Sequence, residues 1–187
     1  PSDLRRQRQM CIRDSGTWGY WYDNGEDNHG EQQVAWGNTY SMGQKIGTWY
    51  FFTEKGDTTK LLNYESDMLN GESRYFYNTG SIKKSVNYKN NKMHGEYVTY
   101  FDDEAHTVKT KKTYKNDKAD GTAQSYYEGG ALKSETEFSG GDKTGKWTIY
   151  YENGQIKQTG IFKNDNQDGL WEMFLEDGKN ATTALYD

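Results

Sequence analysis

Short aromatic bursts alternate with polar turns along almost the whole chain, and residues 145–169, GKWTIYYENGQIKQTGIFKNDNQDG, show the pattern most clearly. GKWTIYY is short, rich in aromatic and β-branched residues and free of Pro, which predicts a strand. ENG then predicts a tight turn, because Asn-Gly accepts the positive φ that hairpin loops require. The return segment QIKQTGIF alternates, with Ile156, Gln158, Gly160 and Phe162 expected on one face and Lys157, Thr159 and Ile161 on the other. KNDNQDG turns the chain a second time through Asn, Asp and Gly. The phrase therefore encodes a β-hairpin, each strand about 23 Å long at roughly 3.3 Å per residue.

The same phrase recurs. Gly16, Gly47, Gly71, Gly95, Gly121, Gly145 and Gly169 each open a unit, at steps of 31, 24, 24, 26, 24 and 24 residues. Two residues later stand Trp18, Trp49, Ser73, Tyr97, Ala123, Trp147 and Trp171, and five and six later come aromatic pairs such as Tyr126 and Tyr127 or Tyr150 and Tyr151. A second glycine follows at the ninth place, replaced once by Glu104, and a ring closes each unit, as Phe138 and Phe162 do. A lone hairpin is marginal in water, so each unit needs a neighbour. Stacked units align their rings, each cross-strand aromatic pair adding about 0.2–1 kcal/mol, and stability becomes a sum of units and interfaces. The expected fold is all-β: an elongated single-layer antiparallel meander of about seven stacked β-hairpin repeats, with up to fourteen strands. Two units depart from the register, the first through an excess around EDNHGEQQVAWGNTY and the fourth through DDEAHT.

Composition changes this picture in one respect. Leu, Ile, Val and Phe are scarce enough to suggest disorder, but sixteen Tyr and six Trp supply the missing apolar surface, and a net charge of −5 is modest. Those residues suit a thin sheet with half-hydrated faces. RRQRQMCIRDS, residues 5–15, resembles a translated adapter from transposon-based DNA library preparation, so residues 1–15 are expected to be non-native and residues 16–187 to form the repeat domain. Cys11, the one cysteine, then carries no native disulfide or thiol chemistry. Without its four arginines and two aspartates the rest of the chain is still more acidic, which argues against nucleic acid as partner. No run is long enough to span a bilayer. A missing native start leaves an exported or anchored protein open beside a cytoplasmic one.

Catalytic and metal motifs are weak. GGDKTGK, residues 140–146, has the spacing of a phosphate loop, yet Trp147 stands where Ser or Thr would hold magnesium and no helix pattern follows. The calcium-like loops at Asp23 and Asn164 place Val34 and Leu175 where an acidic twelfth ligand belongs. A weak surface calcium site at Asp102, Asp103 and Glu104 is the remaining alternative. His29, His94 and His106 lack zinc spacing, and His94 occupies what reads as an exposed turn position. Every carboxylate pair repeats with the unit or sits in a turn. We therefore expect no catalytic residue, no cofactor, no metal and no enzymatic activity.

The pattern G-x-W-x-x-Y-Y-x-x-G-x-[IL]-K, followed by an aromatic and a K-N-x-x-x-x-G turn, resembles MORN-type repeats, specifically the variant of the bacterial YwqK family. GKWTIYYENGQIKQTGIFKNDNQDG and YFYNTGSIKKSVNYKNNKMHGEY carry the resemblance, which extends from Gly16 to Tyr186. It implies a protein-binding module, and specifically an antitoxin that masks a partner toxin in the cytoplasm. MORN repeats elsewhere act as scaffolds or membrane-proximal adaptors. Partner contacts are expected at the two irregular loops and the repeated rings: Trp36, Tyr77, Asp102, Asp103, Glu104, His106, Tyr127 and Tyr151. The alternative is a surface protein that binds glycan or lipid head groups of the choline type through exposed aromatics. The units also resemble choline-binding repeats, although those close with Gly-Trp and have a shorter period.

Overall fold

A computed structural model describes residues 17–22, 32–38, 40–41, 43–53 and 55–187, and side chains from Ser41 onward. The adapter-like segment with Cys11, residues 23–31 and the Trp36 side chain lie outside the described residues. No helix occurs among the described residues. The chain divides into two compact units, Pro1–Lys92 and Met93–Asp187.

The first unit contains β1 (Thr17–Tyr22), β2 (Gln32–Asn38), β3 (Gly47–Phe52), β4 (Thr58–Glu65), β5 (Gly71–Phe76) and β6 (Ile82–Lys89). The second contains β7 (Lys92–Tyr100), β8 (Val108–Lys115), β9 (Gly121–Tyr126), β10 (Leu132–Ser139), β11 (Asp142–Tyr150), β12 (Ile156–Lys163), β13 (Asn166–Phe174) and β14 (Asn180–Tyr186). Within each unit every strand pairs antiparallel with its neighbours in the chain. Each unit is thus an open antiparallel meander of consecutive hairpins.

Two kinds of turn alternate, and their chemistry is distributed differently from the expectation. Tyr151 accepts from Gly154 N (3.0 Å) and donates its own amide to Gln155 O (2.8 Å). Of the ENG residues, Gly154 alone has positive φ (83°). This is the three-residue loop, a type I turn closed by a left-handed glycine. The left-handed pairs fall instead at the other edge, at Asn116–Asp117 (51°, 68°) and Asn164–Asp165 (52°, 66°). Lys115 pairs with Lys118 and Lys163 with Asn166 across them, which defines two-residue type I′ loops. In the fourth repeat the loop is longer, and the left-handed residue is His106 (54°), not Glu104.

These I′ turns also clamp one hairpin to the preceding one. Asp117 donates its amide to Met93 O (2.9 Å) and accepts from Met93 N at Oδ1 (2.7 Å). Asp165 does the same to Lys143 (3.1 and 2.8 Å). In the first unit Asp67 grips Lys45 and Asn91 grips Leu69 in the same way. At Gly140–Gly141 only the backbone half is present, Gly141 N donating to Ala119 O (2.9 Å). Installing the missing acceptor with Gly140→Asn and Gly141→Asp is expected to stabilise the protein by about 1 kcal/mol, read as a higher urea midpoint.

Opening glycines sit at bulges. Thr136 pairs with Trp147 but the next residue, Glu137, pairs with Thr144, so Gly145 and Lys146 are extra, and Gly145 takes φ 63°. Beyond the bulge Trp147 lies opposite Gly160. Its ring packs 5.2 Å from that of Trp171, while Phe162 meets both edge-on (6.1 and 5.1 Å) and Tyr186 meets Trp171 at 6.1 Å. Trp171 is 3% exposed, although all the described strands of its unit lie in one sheet. The rings bury one another by lying along the sheet, as the predicted ladder requires. In the first unit Trp49 is 1% exposed against Tyr64 (6.2 Å). Ser73 and Ala123 fill the same register position and are buried, so the ladder narrows to small side chains there. A second bulge sets Ile156 opposite Tyr150, which takes it out of the row of Gln158, Gly160 and Phe162.

Candidate functional site

The edge of each unit that bears the three-residue loops carries the candidate residues. Each hairpin narrows there through a bulge on its return strand. Tyr126 pairs with Leu132 and Ser125 with Ser134, which leaves Lys133 as the extra residue. Lys157 between Ile156 and Gln158, Lys109 between Val108 and Thr110, and Lys83 between Ile82 and Lys84 arise likewise. A bulge re-aims its side chain, and each lysine is turned over the ring that ends the outgoing strand. The ammonium lies 5.2 Å from the Tyr127 centroid, 5.4 Å from Tyr151, 5.3 Å from Phe101 and, in the first unit, 5.4 Å from Tyr77. These are cation–π distances. The rings are half-buried and the lysines exposed.

In the second unit two of these rings also close the boundary to the following hairpin. The Tyr127 hydroxyl donates to Tyr150 O (2.8 Å) and the Tyr151 hydroxyl to Phe174 O (2.9 Å). The fourth repeat places Phe101 at this position, so the carbonyl of Tyr126 receives no such hydroxyl. There the surface opens into a groove of about 460 Å³, lined by Phe101, Lys109, Tyr126, Tyr127, Lys133 and Glu152 among others. In the first unit the equivalent residue is Thr53, and a groove of about 420 Å³ opens against Phe76 and Tyr77. The groove at Phe101 coincides with a missing tyrosine hydroxyl, and the groove at Thr53 with a missing tyrosine ring.

The sequence-predicted residues are distributed as follows. Tyr77, Tyr127 and Tyr151 share one repeat position on this edge, and Asp102 to His106 form the β7–β8 loop on the same edge of the second unit. Asp102, Glu104 and His106 are exposed. Asp103 is committed to its own loop: Oδ1 accepts from Thr107 N (2.9 Å) and its carbonyl accepts from His106 N (3.3 Å). The Thr107 amide and hydroxyl hold its carboxyl below the usual carboxylate value. A depressed folded pKa adds loop stability that is present above the unfolded value, about 3.9, and is lost as pH falls through the folded one. Acidification across that window is expected to lower the protection of the Thr107 amide relative to its intrinsic exchange rate at each pH, and Asp103→Asn to remove the pH dependence of that protection. Trp36 pairs through its backbone with Tyr50. His94 is half-buried, with Nδ1 enclosed and without a hydrogen-bond partner, so its position is less exposed than expected. Among the described residues no three His, Cys, Asp or Glu side chains are grouped to hold a metal.

Phe101, Thr53, Lys109 and Lys133 belong to this edge and were not anticipated. Thr53 and Phe101 are marked in the chain by a break in the Tyr at the sixth place after the opening glycine, and the lysines by their place directly after the aliphatic residue that opens their return strands.

Fold and edge together define a protein built of tandem β-hairpin repeats. Three of its repeats, residues 69–90, 119–139 and 143–164, match the family model described as MORN repeat variant. No curated protein sequence matches the chain. No described helix is long and apolar enough to cross a membrane.

Proposed function

We propose that the protein is a non-enzymatic binding module that engages another protein along the edge bearing the three-residue loops, and that it serves as a YwqK-type antitoxin masking a toxin. The observation that carries the reading is the repeated edge of ring and overlying lysine, interrupted by grooves at Thr53 and Phe101. Tyr is a favoured interface anchor, and a repeat presents its contacts at regular intervals without a catalytic centre. The match to the MORN repeat variant supports a repeat module. A protein partner is favoured over a choline-like head group because the rings of Tyr77, Tyr127 and Tyr151 already carry the chain's own ammonium groups. A quaternary ammonium would have to displace them.

Co-expression with the products of the flanking genes tests this. A stoichiometric complex that relieves the toxicity of one product is the expected result. Flanking products that neither co-purify nor impair growth alone would refute the antitoxin assignment.

A further inference from the structure

The groove at Phe101 differs from the closed boundaries by a single functional group, and that difference identifies an occupant. At the closed boundaries the chain inserts its own phenol: the ring of Tyr127 or Tyr151 lies beneath a lysine ammonium, and its hydroxyl donates to the carbonyl at the end of the next hairpin's outgoing strand. At Phe101 the ring and its lysine are retained while the hydroxyl is absent, so Tyr126, which lines the groove, lacks the hydroxyl donor that the carbonyls of its repeat counterparts Tyr150 and Phe174 receive. Lys109 and Lys133 on the rim suit the face of an aromatic ring, and Glu152 balances them. A volume of about 460 Å³ lies within the range of small-ligand sites.

We propose that the groove at Phe101 is an anchor pocket for a tyrosine side chain presented by the partner protein. The incoming ring packs against Phe101 and Tyr127 beneath the lysines, and its hydroxyl donates to Tyr126 O. It thereby completes from outside the contact that Tyr127 and Tyr151 make from within. Tyrosine fits better than phenylalanine because the carbonyl needs a donor, and better than arginine because two ammonium groups already occupy the rim. This rests on the reading that the partner is a protein, and it adds where that partner is gripped and by which residue.

Titration of the ¹⁵N-labelled chain with N-acetyl-tyrosinamide tests the pocket directly. Saturable shifts are expected at Phe101, Lys109, Tyr126, Tyr127 and Lys133, with severalfold weaker binding of N-acetyl-phenylalaninamide and N-acetyl-argininamide. Phe101→Tyr places the chain's own hydroxyl on Tyr126 O, so it is expected to abolish those shifts while holding or raising the melting temperature. Lys133→Ala, at an exposed position, is expected to weaken binding severalfold in a fully folded protein. Absence of saturable shifts, equal shifts in Phe101→Tyr, or equal affinity for the three amides would overturn the proposal. If the tyrosine amide binds as expected and no flanking gene product co-purifies, the pocket stands and the antitoxin reading falls. If a flanking product binds wild type and Phe101→Tyr equally, the pocket falls and the antitoxin reading stands.

Discussion

Replacing Trp171 with alanine is expected to lower the unfolding free energy by about 3–5 kcal/mol, the usual cost of deleting a large buried ring. Trp171 contacts Trp147, Phe162 and Tyr186 and is 3% exposed. It therefore holds three strands' rings together, and truncation leaves a gap that a single-layer sheet has no facing layer to fill. Trp147 is half-buried, and its alanine variant should fall lower in the series. Lys157→Ala removes an exposed side chain whose one marked contact is with the Tyr151 ring, worth under about 1 kcal/mol. Urea unfolding of the three variants checks the order. Equal midpoints for Trp171→Ala and Lys157→Ala would refute a ring-built core.

Gly160→Ala is expected to cost about 1–3 kcal/mol, the range for forcing a methyl into a packed site. The sign is informative, because glycine within a strand is ordinarily worse than alanine by roughly 0.5–1 kcal/mol. Here an added Cβ would come within 2.2 Å of Trp171 Cδ2 and 2.3 Å of Cε2. Neither the ring nor the backbone beneath it can yield without loss of the Trp147 contact. A double-mutant cycle isolates the cause. In a Trp171→Ala background the alanine at 160 should be neutral or favourable, and an unchanged penalty there would exclude the clash as its origin.

Much of this architecture is legible in the residues. Opening glycines spaced by 24 mark the bulges, and closing rings at Tyr114, Phe138 and Phe162 do pair with the opening glycines of their hairpins. Turn type is less legible. Asn-Gly in ENG is compatible with an I′ loop by local preference, but the bulge on the return strand adds a residue, and the longer loop needs left-handed φ at Gly154 alone. The fourth loop, where Glu104 stands at the place of the turn glycine, is longer by two residues, which moves the left-handed role to His106. For the site, the repeated Tyr positions are visible as sequence, whereas the groove at Phe101 is defined by a hydroxyl that is missing. Phe101 looks conservative beside Tyr127 until the carbonyl it fails to reach is located in space.

The turn clamps also bear on how the fold is reached. Asp67 and Lys45 are 22 residues apart and Asp117 and Met93 24, so each clamp closes a short loop, and loops of that size close at little entropic cost. Folds dominated by such near-neighbour contacts assemble fast, and a chain emerging from the ribosome can dock each new hairpin on the last before the next is made. At Gly140–Gly141 the incoming turn is held by its backbone alone, through Gly141 N to Ala119 O.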